Sequence, residues 1–237
     1  MRITSADNEK LKTVRRLTQR RFRDREGLFV TEGEDLLNAG LRAGSEPVFA
    51  LVAPDSGLQG VECEQGLISE VSSLGSGTRA LAVWEIPEGG RVVEPATYLH
   101  GVGDPGNVGT IVRTSAALTG GSIVLGPETA DPYSPKAVRA SMGAIFASPP
   151  VRGVDLESLP APRVALVAHG GQPPEMLRGA GTVCLGAERK GLPPEVTDVC
   201  EKLVTIPINS EGAAESLNVA AAAAIALYLT AQGGADA

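Results

Sequence analysis

The stretch Asp104-Pro-Gly-Asn-Val-Gly-Thr-Ile-Val-Arg-Thr-Ser115 sets an amide side chain, Asn107, six residues ahead of a cation, Arg113. Pro105 and Gly106 force a turn. Asn107 is placed to cap the helix that follows, and Val108, Ile111 and Val112 give that helix an apolar face. An arginine fixed beside a glycine turn is a natural grip for phosphate or ribose, because its planar fork donates in pairs. On an ordinary amphipathic helix the same residue is only a surface charge. A second polar set lies in Leu185-Gly-Ala-Glu-Arg-Lys-Gly-Leu-Pro193. Glycines at both ends let backbone amides approach a ligand, and Glu188 either orients a cation or is the exposed acid of a plain turn. A third set, Ile206-Pro-Ile208 and then Glu215-Ser-Leu-Asn-Val219, opens an alanine-rich helix. Ser216 suits its N-cap. Asn218, inside the first turn, is a poor helix-interior residue and is less readily explained by capping.

These sets sit on a regular alternation. From Ala96 onward the strand candidates are Thr97–Val102, Ser122–Leu125, Val164–Ala168, Thr182–Leu185 and Leu203–Ile206. Helix candidates fall between and after them at Gly109–Leu118, Pro135–Ala140, Pro173–Leu177, Pro193–Val199 and Leu217–Leu229. Such alternation argues for a parallel sheet covered by helices, with ligands at the strand ends. Before it, residues 7–22 read as one helix with Leu11, Val14, Leu17 and Phe22 on a stripe. Leu28–Val30 reads as a strand and Glu32–Ala43 as a helix. Apolar runs at Val48–Ala53 and Thr78–Ile86 flank a helical patch near Ser69–Leu74. Pro87–Gly90 reads as a linker, which gives a small α/β unit over residues 1–90 and a larger one over 91–237.

Charge separates the two. The chain of 237 residues has a net charge of −7, yet residues 1–26 carry nine Lys/Arg against four acids. An acidic protein with a basic head is drawn to nucleic acid at that head; a solvated helix face is the plainer account. Cys63, Cys184 and Cys200 lack CxxC spacing, and His100 and His169 are the only histidines, which disfavours a metal site and fits a reducing cytoplasm. Residues 1–19 lack the apolar run of a signal peptide, and no stretch reaches the roughly 20 apolar residues of a membrane span. Gly101-Val-Gly-Asp-Pro-Gly106 spells the dinucleotide pattern, but no acid follows in the next strand to take a ribose. The P-loop and the serine-hydrolase elbow are absent.

Taken in order, Asn107 with Arg113, Leu185-Gly-x-Glu188-x-x-Gly-Leu192, and Ile206-Pro-Ile208 with Ser216-Leu-Asn218 resemble the three signature motifs of the SpoU (TrmH-like) RNA ribose 2′-O-methyltransferases of the SPOUT superfamily. Asp131-Pro-Tyr-Ser-Pro-Lys136, Arg139-Ala-Ser-Met-Gly-Ala144, Ile3-Thr-Ser-Ala-Asp-Asn8, Lys12 and Leu28-Phe-Val-Thr-Glu-Gly33 are similar to family sequence too, so the likeness spans nearly the whole chain. The resemblance implies an α/β fold: a C-terminal domain with a parallel sheet and a deep trefoil knot, preceded by a small ribosomal-protein-like RNA-binding domain. It implies S-adenosylmethionine as cofactor, a homodimer completing the active site, no metal, and methyl transfer to a ribose 2′-hydroxyl of RNA, ribosomal in preference to transfer RNA. A non-catalytic RNA-binding protein keeping the fold is the alternative. By the same likeness Arg113, Asn107, Glu188, Ser216 and Asn218 are the catalytic positions. Ala168, Leu185, Gly186, Ile206, Ile208, Ser216 and Leu217, with His169 as a possible neighbour, are the cofactor positions. Arg15, Arg16, Arg20, Arg21, Arg23 and Arg139 are expected to meet RNA. Arginine is an awkward base, since a guanidinium keeps its proton at neutral pH; stabilising a forming alkoxide suits Arg113 better.

Overall fold

A computed structural model of the protein describes residues 2–75, 77–209 and 216–233. The chain divides into two compact units, residues 1–88 with 131–147 and residues 89–130 with 148–237. Residues 131–147, which the sequence reading grouped with the C-terminal half, pack within the first unit.

The first unit begins with α1 (Glu9–Leu17) and α2 (Arg20–Glu26), followed by β1 (Leu28–Glu32), α3 (Glu34–Arg42), β2 (Phe49–Val52), β3 (Val61–Glu62), α4 (Gln65–Val71) and β4 (Ala80–Glu85). Its sheet order is β1-β4-β2-β3, with β4 antiparallel to both β1 and β2. β4 serves two cores because side chains alternate along a strand. Leu81 and Val83 join Leu11, Val14, Leu17 and Ile68, while Ala80, Ala82 and Trp84 join Phe29, Leu36 and Tyr133. The single helix expected over 7–22 is two helices. α1 is capped by Asn8, whose side chain accepts from the Lys10 amide, and it ends at Thr18. The chain is extended at Gln19 before α2 starts, so the buried residue of α2 is Arg23, with Phe22 half-buried.

In the second unit β5 (Ala96–Leu99) leads to α5 (Pro105–Leu118) and β6 (Ile123–Leu125). After α6 (Pro135–Ser141) and α7 (Ala144–Ala147), which belong to the first unit, come β7 (Val151–Arg152), β8 (Arg163–Leu166), β9 (Thr182–Leu185), α8 (Pro194–Thr197), β10 (Lys202–Val204) and α9 (Val219–Gln232). The sheet runs β10-β8-β9-β5-β6-β7, with every pairing parallel. Its strands are apolar and largely buried, as a sheet covered on both faces requires. The expected helix at Pro173–Leu177 is a short 3-10 turn, and β3, β7 and α7 were not anticipated. α5 and α9 pack together; Val108, Gly109, Ile111, Val112 and Ser115 are buried on the first, and Ala220, Ala223 and Ala226 on the second.

Candidate active site

Three side chains from three elements meet in the second unit. The Asn107 amide group donates to Glu188 Oε1. Asn218 Nδ2 donates to the same carboxylate oxygen and to Asn107 Oδ1, each at 3.2 Å. Local sequence explains how each is held. Asp104, not Asn107, caps α5: its carboxylate accepts from the amides of Gly106 at 2.6 Å and Asn107 at 3.2 Å. Asp is as good a cap as Asn, and Pro105 suits the first helical position. Asn107 is thereby freed to face Glu188. At the other helix the cap is Asn218 rather than Ser216. Its Oδ1 accepts from Ala220 N at 2.9 Å and Ala221 N at 3.3 Å while its Nδ2 reaches the cluster, so one residue both starts α9 and fixes Glu188.

Glu188 sits at the tip of a tight loop. Ala187 N donates to Gly191 O at 3.2 Å and Gly191 N to Ala187 O at 2.8 Å. Gly191 has φ +68°, and a Cβ on Gly186 would collide with the backbone of Gly191 and Leu192. Both glycines are therefore needed for the loop to close on itself.

Beside this loop a cavity of about 350 Å³ opens at the C-terminal ends of β8, β9 and β10. Leu166, Val167 and Ala168 contribute to its wall after β8, Leu185 through Leu192 after β9, and Ile206 and Ile208 after β10, with Ser216, Leu217 and Val219 at the entry to α9. All seven cofactor positions expected from the resemblance line it; His169 does not. Leu166, Val167 and Leu192 were missed, although strand ends in a parallel sheet are where ligands bind. The dinucleotide-like glycines 101–106 stay outside its wall.

Arg113 is exposed and makes no hydrogen bond or ion pair with the described residues. Six residues of helix carry it about 9 Å past Asn107 and turn it by about 120°. Within one chain it does not join the Asn107–Glu188–Asn218 cluster.

In the first unit the expected RNA-facing arginines differ in exposure. Arg15 pairs with Glu70 at 2.8 Å, Arg16 lies 3.8 Å from Glu26, and Arg20 lies 3.4 Å from Asp24, all part or wholly in water. Arg21 lies over the Phe22 ring, 4.7 Å from its centroid. Arg139 donates to Ser73 at 2.6 Å and faces Glu32. Arg23 leaves this set. Its guanidinium is 4% exposed, pairs with Asp131 at 2.7 Å and donates to Leu17 O at 2.7 Å, so its charge is consumed inside the unit.

Residues 96–228 match the model of the SpoU rRNA Methylase family, and residues 8–83 match an MRM3-like substrate binding domain. The chain belongs to the SpoU rRNA methylase family. It is similar to the 23S rRNA (guanosine(2553)-2′-O)-methyltransferase RlmP of Bacillus subtilis, at 29% identity over 95% of this chain and 97% of that one. Among solved structures, an AdoMet-bound rRNA methyltransferase from Sinorhizobium meliloti superposes with a TM-score of 0.84 at 29% identity, covering 97% of this chain and 96% of the other. An RNA 2′-O ribose methyltransferase superposes with a TM-score of 0.81 at 27% identity, covering 99% and 100%.

This chain is accordingly a methyltransferase that uses S-adenosylmethionine. The cavity suits that cofactor. Its volume falls within the range of about 300–1,000 Å³ common for small-molecule sites. Leu166, Leu185, Ile206, Ile208 and Leu217 offer apolar walls for an aromatic base, and the loops after the strands supply backbone donors and acceptors. Gly186 contributes backbone without a side chain to its wall.

Proposed function

We propose that this chain methylates the ribose 2′-hydroxyl of a nucleotide in ribosomal RNA. The observation that carries this reading is the convergence of Asn107, Glu188 and Asn218 beside a cofactor-sized cavity. The names of the Bacillus subtilis relative and of the 2′-O ribose methyltransferase neighbour support it. S-Adenosylmethionine, when bound, supplies a methyl group already activated on a positive sulfur. The chain must then hold the ribose in line and lower the cost of losing its proton. Glu188, locked by two amide groups, presents a fixed acceptor at the cavity edge, and Ser216 adds a hydroxyl there. Arg113 stabilises the forming alkoxide.

Arg113 reaches that place from a second copy of the chain. Leu118, Ile225 and Tyr228, on the paired helices α5 and α9, are 39%, 39% and 55% exposed, an apolar face suited to a homodimer. The Arg113 of one protomer would then complete its partner's cluster. Residues 1–90 grip the RNA through Arg15, Arg16, Arg20 and Arg21, helped by Arg139, and 91–237 carry the transfer. A knotted path, expected from the resemblance, would brace the loops around the cavity. A cytoplasmic setting agrees with free thiols at Cys63, Cys184 and Cys200.

Mixing two inactive variants tests the composite site. Arg113→Ala and Glu188→Ala proteins, refolded together, should recover about a quarter of parental methyl transfer, because half the dimers are mixed and each holds one intact site. No recovery, with mixed dimers demonstrated, would overturn the shared site.

A further inference from the structure

Glu188 is the first of three consecutive charged residues, followed by Arg189 and Lys190 at the loop tip. All three line the cavity. Glu188 is occupied by Asn107 and Asn218, whereas Arg189 and Lys190 are exposed and make no hydrogen bond or ion pair with the described residues. The loop that carries them is pinned by the paired Ala187–Gly191 hydrogen bonds and by Gly186, which has no room for a side chain. Consecutive Cα atoms are about 3.8 Å apart, so both cations are anchored within about 7.6 Å of the Glu188 backbone. The tip is thus a rigid mount for positive charge at the edge of the reacting centre.

The surroundings make that charge necessary. The second unit carries eight basic and thirteen acidic residues, a net charge of −5. It also presents the Glu188 carboxylate where a ribose would lie. A polyanion approaching such a surface is repelled unless local cations offset it. We infer that Arg189 and Lys190 form the phosphate-holding lip of the cavity, gripping RNA phosphates beside the nucleotide to be methylated and so positioning its ribose. This rests on the ribose-methylation reading above. Arginine gives paired donors to two phosphate oxygens, and lysine adds a mobile point charge. The other anion of suitable chemistry is the carboxylate of the cofactor's amino-acid end, and the two sources separate experimentally.

The test uses the full-length Arg189→Gln/Lys190→Gln protein and two probes: S-adenosylmethionine alone, by calorimetry, and an unmodified ribosomal RNA transcript without cofactor. The expected result is unchanged cofactor affinity and weaker RNA binding. The slope of log K against log salt should flatten by about 1.4–1.8, or roughly 0.7–0.9 for each phosphate released. Arg189→Lys/Lys190→Arg should restore the slope, since charge is kept. A loss of cofactor affinity with an unchanged salt slope would assign the cations to the cofactor carboxylate and overturn the proposal. Unchanged binding of both probes would reduce them to solvated charge. Because neither probe depends on where the methyl goes, mapping the methyl placed by the parent protein tests the ribose reading separately.

Discussion

In the first unit, cations crowd residues 1–26 and most lie against acids or rings of their own unit: Arg15 on Glu70, Arg20 on Asp24, Lys10 over Phe49, Arg23 in the core with Asp131. In the second unit the cations nearest the cavity, Arg189 and Lys190, together with Arg113, pair with nothing among the described residues, while a carboxylate is held by two amides. Abundant charge in the head is diffuse, and exposed pairs there are worth little. Sparse charge at the cavity is held in place by backbone closure and helix caps. A diffuse field attracts RNA without choosing a nucleotide, whereas fixed groups can select one atom. Substitutions in the head should therefore act gradually and together, and those around the cavity singly and sharply, with Arg23 as the exception that behaves as core.

Arg23→Ala is the strongest challenge to that contrast. It strips Asp131, 6% exposed, of its ion-pair partner, so the first unit should lose about 3–5 kcal/mol of stability. Chemical denaturation should show it, with RNA affinity little changed in protein that remains folded. If Arg23→Ala left stability intact but weakened RNA binding, the residue would return to the RNA-facing set. Arg113→Ala should lower methyl transfer by about 10²–10³-fold, the usual cost of losing one stabilising donor, while calorimetry finds cofactor affinity nearly unchanged. Gly186→Ala forces a Cβ into Gly191 and Leu192 and should cost about 1–3 kcal/mol along with cofactor affinity. Reversing Arg15, Arg16, Arg20 and Arg21 together should flatten the salt dependence of RNA binding; an unchanged slope would make the head a solvated face.

The smallest effect concerns acid. Arg163 holds the Glu201 carboxyl down to about 2 from its ordinary 4.5, with an ion pair of 2.6 Å. A depressed folded value means the stabilisation is present above about 4.5 and disappears as pH falls toward about 2. Glu201→Gln should make stability flatter across that window in acid denaturation. A mutant that follows the parent's curve there would remove the pair from the account.

The presence of each parallel strand expected and the glycine positions were readable in advance because they are local, although the strands expected to end at Val102, Ala168 and Ile206 end at Leu99, Leu166 and Val204. Thr182–Leu185 is β9 to the residue, and all seven expected cofactor positions line the cavity, since a backbone that must approach a ligand needs glycine and small residues nearby. Which residue capped each helix was less accessible. Asp104 and Asn107 are both good caps, as are Ser216 and Asn218, and only the path of the chain into each helix chooses between them. The fate of Arg23 was out of reach for a related reason. Its partner is 108 residues away, in a segment that the strand–helix alternation assigned to the other half. Nor does spacing say that a helix turn carries Arg113 away from Asn107, although the angle follows once the helix is granted.

The account stands most directly on where the methyl group arrives. Ribosomal RNA from cells with and without the gene, digested to nucleosides and mapped by mass spectrometry, should differ by a ribose-methylated nucleoside present only with the gene. Restoring the gene should restore it, and Arg113→Ala should not. A methyl group found on a base, or ribosomal RNA identical in the two cells, would contradict the claim that the cluster of Asn107, Glu188 and Asn218 serves a ribose oxygen of that RNA.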